Sequence, residues 1–295
     1  MGEYYLDREK YADGLAAFRE TVADHPDDPV AHYYLGRFCL AEERPEEALD
    51  HLRTAVDLDP GSADYRFWSG VCHSTLGRPE DERRAYEEAL ERKPDHVPAL
   101  VYSGHNRLDA GDCQGALAHY AEALRLAPES PQALFNRALA LECLHRDAEA
   151  AAAWKAYLDR YPTGAFGRQA ADRLNRLGDF TYRNARIGRR SVTLKQVEFQ
   201  PLEPALADGS RSTLDFVGHL IASDPHLVLQ VLVFQKNDPF LSKERARSIK
   251  AYLLAHHDAI GEDRIRLSWF DVPETVTLDG RRFRQDQSVR FFTTK

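Results

Sequence analysis

ALDHLRTAVDLDP (48–60) decides how this chain is read, because its pattern recurs. LAAFRETVADHP (15–26), RRAYEEALERKP (83–94), ALAHYAEALRLAP (116–128) and AAAWKAYLDRYP (151–162) repeat its alanine-rich helical spacing and its closing proline. Pro26, Pro60, Pro94, Pro128 and Pro162 therefore stand 34 residues apart. A helix that ran through such a proline would lose a backbone hydrogen bond, so each proline ends one unit and starts the turn to the next. A fixed period of this length predicts stacked helical units, each burying its apolar face on its neighbours.

The positions inside the period resemble the tetratricopeptide repeat (TPR) family. Gly36, Gly70, Gly104 and Ala138 supply the small residue of the first helix, and Ala48, Ala116 and Ala150 that of the second. Leu52/Ala55, Tyr86/Ala89 and Tyr120/Ala123 follow at the expected spacing; the last repeat keeps Trp154 but has Tyr157 for the small residue. Glu82 replaces the expected alanine in one repeat, which predicts a looser crossing there. The resemblance covers about residues 1–162 and implies an all-α right-handed superhelix. Residues 165–178 are expected to form a solvating cap helix, giving a domain of about 4.5 repeats over 1–178. The phase puts Met1 about halfway along a first helix, so either the chain starts inside a repeat or sequence precedes it.

The same resemblance places the partner groove on the first helices. Tyr33, Phe67, Val101 and Phe135 form one line, and Arg37, Val71, His105 and Leu139 the line a turn further on. This apolar and aromatic ladder suits an extended or helical segment of a partner protein with apolar anchors. Lys and Asn, which would clamp a C-terminal carboxylate, do not occupy these places. The competing reading is that the side chains pack between neighbouring helices.

Charge and cysteine content narrow the classes. The net charge is −8. Residues 1–185 carry 22 Lys and Arg against 33 Asp and Glu, a net of −11, and the remainder carries +3. An acidic first part disfavours nucleic-acid binding. Arginine outnumbers lysine 31 to 8, as in a high-GC genome. No stretch is apolar enough for a transmembrane segment, and the charged first twenty residues are not a secretory signal. Cys39, Cys72, Cys113 and Cys143 make no metal pattern, and free helix thiols are expected. That reading favours the cytoplasm for the chain as given; a preceding signal sequence would make it periplasmic.

From about residue 179 the pattern changes. FTYRNARIGRR reads as a basic connector, with a linker over 179–190. A strand at 191–199, a helix at 210–222, a strand at 226–234, a helix at 242–256, and strands at 264–270 and 288–294 follow. The order β-α-β-α-β-β predicts two helices on one face of a mixed sheet, so the whole chain reads as α plus α/β.

Val197-Glu198-Phe199 and Leu241-Ser242-x-x-Arg245-Ala246 make residues 191–295 resemble the OmpA-like, peptidoglycan-binding domain. The resemblance implies that Arg245 forks onto the carboxylate of a peptidoglycan stem peptide while an aspartate takes its ammonium. Here Phe234-Gln235-Lys236-Asn237 stands in the ligand turn, with neutral Asn237 at the aspartate position and Asp238 next to it. Asn237, Asp238 and Arg245 thus read as a vestigial site, and Lys236 adds a repulsive charge. The alternative for Arg245 is a surface residue paired with Glu198, Glu244 or Asp238. Two functions follow: a non-catalytic adaptor whose second domain has lost its ligand, or an envelope anchor holding peptidoglycan through Arg245. Asp238, Asp271 and Glu274 lack the companions of a catalytic site, and neither cofactor nor metal is expected.

Overall fold

The residue before each of the first four repeat prolines leaves the helical conformation in the computed structural model, which describes residues 1–294. His25, Asp59, Lys93 and Ala127 have φ of −134°, −133°, −140° and −133°. Proline crowds the helical conformation of its predecessor, so the second helix of each repeat stops at the same place. New helices then begin on prolines whose fixed φ suits a first turn: Pro29, Pro45, Pro79 and Pro131. Asp28, Ser62, Asp112 and Ser130 cap helix starts through their side-chain oxygens.

The helices are α1 (Gly2–Asp7), α2 (Tyr11–Asp24), α3 (Pro29–Ala41), α4 (Pro45–Leu58), α5 (Ala63–Thr75), α6 (Pro79–Arg92), α7 (Val97–Asp109), α8 (Cys113–Leu126), α9 (Pro131–Cys143), α10 (Asp147–Leu158) and α11 (Gly164–Arg176). Packing explains the small residues. A Cβ on Gly104 would lie 2.6 Å from the Tyr120 ring, one on Gly36 2.8 Å from Leu52, and one on Gly70 would overlap the edge of the Tyr86 ring. Leu52, Tyr86 and Tyr120 are fully buried by these approaches; for Leu52 that burial stabilises by roughly 1.5–3 kcal/mol. Glu82 does not loosen its crossing: it is half-buried, and Tyr86 and Ala89 beside it are fully covered.

The chain divides into two compact units, Met1–Arg146 and Asp147–Lys295. The division falls between α9 and α10, not at residue 178 as the repeat count implied. α11 is not a solvated end either. It packs on α10 and on strand β1 (Tyr182–Ile187). Asn184 Nδ2 donates to Arg168 O at 2.9 Å, and Asn175 Nδ2 to Tyr182 O at 2.7 Å. β1 occupies the expected linker and pairs antiparallel along its whole length with β2 (Arg190–Lys195).

Then come α12 (Arg211–Ala222), β3 (Val228–Gln235), α13 (Pro239–His256), β4 (Ile265–Phe270), β5 (Glu274–Leu278), β6 (Arg281–Gln285) and β7 (Gln287–Thr294). The main sheet has the order β4-β3-β7, with β3 and β4 parallel and β3 and β7 antiparallel. Leu214, Val217 and Ile221 of α12 and Ile249 and Leu253 of α13 bury against Leu229, Val231 and Val233 of β3. The mixed sheet and its helices match expectation, but the first expected strand does not join it: β2 belongs to the β1–β2 ribbon. β5 and β6 form a further hairpin whose turn, Asp279-Gly280, has φ of 49° and 77°. Positive φ at both turn residues is what an Asp-Gly pair permits.

The cysteine expectation holds for only half of the set. Cys39 and Cys72 are buried free thiols, and burial pushes each up to about 12. Cys113, opening α8, is instead bonded to Cys143, closing α9, with Cα atoms 6.1 Å apart. Antiparallel neighbouring helices bring these ends together, a proximity that sequence separation conceals.

Candidate functional site

In unit Met1–Arg146, three of the eight predicted groove residues are not available to a partner. Phe67, Val101 and Phe135 are 5, 5 and 6% exposed. Phe67 is enclosed by Tyr86, His96 and Tyr102, with ring centroids 5.3–5.8 Å away. For these residues the interhelical packing reading is correct. Tyr33, Arg37, Val71, His105 and Leu139 remain half-exposed.

The accessible aromatic line lies one residue further along each helix. Tyr34 and Trp68 are half-exposed, Tyr102 is 41% exposed, and half-buried Asn136 continues the series. One residue is about 100° around a helix, so the neighbours of the buried line are turned out of the interface. Polar contacts join the line into a strip. Arg37 Nη1 donates to Tyr33 Oη at 3.0 Å and to Glu3 Oε1 at 3.1 Å. Its guanidinium lies 4.5 Å from the Trp68 ring centroid. Tyr102 packs on His105 at 5.6 Å, and His105 Nε2 contacts the Asn136 amide. Burial holds the His105 pKa below the ordinary histidine value, so the imidazole is neutral near pH 7. The strip offers aromatic faces, one guanidinium and neutral hydrogen-bonding groups.

In unit Asp147–Lys295, a cleft of about 530 Å³ is lined by Phe180, Glu198, Phe199, Phe234, Arg245, Arg284, Asp286 and Gln287, among others. Arg245 is 3% exposed, which rules out a surface arginine. Among the described residues it has no ion-pair partner; Glu198, Glu244 and Asp238 do not bridge to it. Its Nη1 donates to Gln235 Oε1 at 2.5 Å and to Gln287 Oε1 at 3.1 Å. Nε donates to Glu203 O at 3.1 Å, and the Phe199 ring lies 4.7 Å away. Burial lowers the Arg245 pKa, and the Asp238 charge offsets part of that.

Of the other expected site residues, Asp238 has its side chain committed to the backbone. Asp238 Oδ1 caps α13 by accepting from Leu241 N at 2.8 Å. Asn237 adopts φ 60°, and its backbone N–H donates to Asp271 O at 2.8 Å. Lys236 pairs with Asp286 at 3.2 Å, so its charge is partly answered within the fold. Gln235 and Gln287, which sequence reasoning missed, are register partners on β3 and β7.

Glu274 is buried and bonded to Arg183 Nη1 at 2.6 Å, Ser288 Oγ at 2.7 Å and Arg290 Nη1 at 2.7 Å. It is a structural node. Among the described residues no group of three or more His, Cys, Asp or Glu side chains is placed to hold a metal, and no helix is long and apolar enough to cross a membrane.

A family model described as tetratricopeptide repeat matches residues 1–63, 40–97 and 103–165. Protein FlbA of Caulobacter vibrioides is 30% identical over 164 residues, covering 50% of this chain and 27% of FlbA. The CTR9 homolog of Arabidopsis thaliana is 30% identical over 115 residues, 39% of this chain and 10% of that protein. The chain thus spans about a quarter or less of these relatives. Among solved structures, one from the functional characterization of Pseudomonas aeruginosa pilF aligns with a TM-score of 0.55 at 18% identity, over 76% of this chain and 89% of that one. The APC/C hetero-tetramer Cut9-Hcn1 aligns with a TM-score of 0.51 at 18% identity, over 60% of this chain and 35% of that one. These two likenesses show the fold alone.

Proposed function

Because this chain belongs to the tetratricopeptide repeat family, we propose that it is a non-catalytic adaptor that binds a segment of a partner protein along Tyr34, Arg37, Trp68, Val71, Tyr102 and His105. The observation that carries this reading is the continuity of the strip: Arg37 on Trp68 joins α3 to α5, and Phe67, packed on both Trp68 and Tyr102, joins α5 to α7. Large amphipathic rings that remain accessible supply anchors at low conformational cost. A photoreactive phenylalanine analogue at Tyr102 tests it in the source cell. A discrete protein adduct at 102, absent when the analogue replaces Leu58, supports the proposal. Indistinguishable labelling at both places would reject it.

The second unit is read as an OmpA-like fold whose ligand site has been taken over by its own side chains. Support comes from the two amide oxygens on the Arg245 guanidinium, where the resemblance implies a ligand carboxylate. The anchor reading requires that carboxylate to displace two neutral acceptors already in place, with Asp238 used as a helix cap. Loss of peptidoglycan binding therefore accompanies the adaptor role. The Cys113–Cys143 bond supports work in an oxidising compartment such as the periplasm, in place of the cytoplasmic expectation.

A further inference from the structure

The two margins of the β4-β3-β7 sheet are unlike. The β1–β2 ribbon lies against β7, and Gly188 N donates to Thr293 Oγ1 at 2.7 Å. β4 is hydrogen-bonded to β3 and, among the described residues, to no other strand. It runs in unbroken register with β3, without proline or bulge, and carries one charge, Arg266. Proline, bulges and several charges are the usual guards against pairing at a free margin. Instead Trp269 and Phe270 are 41 and 39% exposed, with Phe270 stacked on Phe234 at 4.7 Å.

Alternation fixes how such a margin can meet a copy of itself. Ile265 and Leu267 face the helix-covered core, so Arg266, Ser268 and Phe270 lie on the other face. When identical strands pair antiparallel about a two-fold axis normal to the sheet, opposed residues must share a face, so the axis passes through a residue position. Centred on Arg266, two guanidiniums oppose each other. Centred on Leu267, Phe270 faces Arg264, which is held by the Ile221, Asp224 and Leu227 carbonyls. Centred on Trp269, Phe270 opposes only Ser268. Centred on Ser268, Arg266 meets the ring of Phe270 and Leu267 meets Trp269. That register alone gives the unpaired guanidinium an aromatic face and matches apolar to apolar.

We propose that β4 pairs antiparallel with β4 of a second copy of this chain, centred on Ser268, making one continuous sheet across a two-fold dimer. Light scattering during gel filtration of the full chain should give twice its 33.5 kDa mass. Phe270→Lys sets a lysine against Arg266 of the other copy and should weaken dimerisation at least tenfold; adding Arg266→Glu should restore it. Circular dichroism of each variant checks that the fold is kept. Independently, oxidised Ser268→Cys should give a reducible covalent dimer, because Ser268 faces its own copy, whereas Arg266→Cys should not. A wild-type mass of one chain throughout the micromolar range would overturn the proposal. So would a dimer indifferent to Phe270→Lys in a folded variant, or equal cross-linking at 266 and 268.

Discussion

Arg245 on α13 donates its Nη1 hydrogen bond to Gln287 Oε1 on β7 at 3.1 Å, inside the unit and without a carboxylate partner. A buried guanidinium held by neutral oxygens is a structural element whose removal orphans its acceptors. Arg245→Ala is expected to cost about 2–4 kcal/mol in urea unfolding. Wild type and variant should both stay in solution when mixed with isolated peptidoglycan sacculi. Pelleting of the wild type alone would restore the anchor reading.

The cross-link between α8 and α9 closes a loop with a sequence separation of 30. Loop-closure entropy gives such a bond about 3–4 kcal/mol. Reduction should lower the urea midpoint accordingly. Alkylation of unfolded, unreduced protein followed by mass measurement should label Cys39 and Cys72 only. Four labelled thiols on protein isolated from its source would place it in a reducing compartment.

Several imidazoles are held neutral by the fold. Burial is the leading effect lowering His51, His73, His105, His119 and His257. A histidine whose native pKa is depressed favours folding above its unfolded value of about 6.5, and that contribution declines as pH falls toward the native value. The urea midpoint should therefore drop between neutral pH and about pH 5.5. A flat profile would contradict this electrostatic account.

Glu274 acts in a more acidic window. Burial pushes its pKa up, but Ser288, Arg183 and Arg290 outweigh burial and hold it below the ordinary value. Its stabilisation is present above the unfolded glutamate value of about 4.3 and is lost as pH falls through the native one. Glu274→Ala should cost about 3–5 kcal/mol at neutral pH, because two arginines lose their counter-charge. Equal stability of variant and wild type at pH 7 would refute the role of this node.

The repeat was legible because each proline acts on its own predecessor, a local effect visible along the chain. The groove was legible to one turn but not to one residue. Whether residue 67 or 68 faces outward depends on how Tyr86 and Gly70 set the rotation of α5, which is a packing outcome. The Asp279-Gly280 turn between Val276 and Phe283 was a readable hairpin signal that the strand pattern passed over. The fate of Arg245 was hidden for another reason: Gln235 and Gln287 come together only through the β3–β7 register.

Partner binding along the Trp68–Tyr102 strip can be measured by selecting a random displayed peptide library on the full chain and titrating the enriched peptides calorimetrically. Peptides with apolar or aromatic anchors should bind wild type and lose at least tenfold in affinity, about 1.4 kcal/mol, when Trp68→Ala and Tyr102→Ala are combined. Enriched peptides that bind the double variant as tightly as wild type would contradict the strip as the partner site.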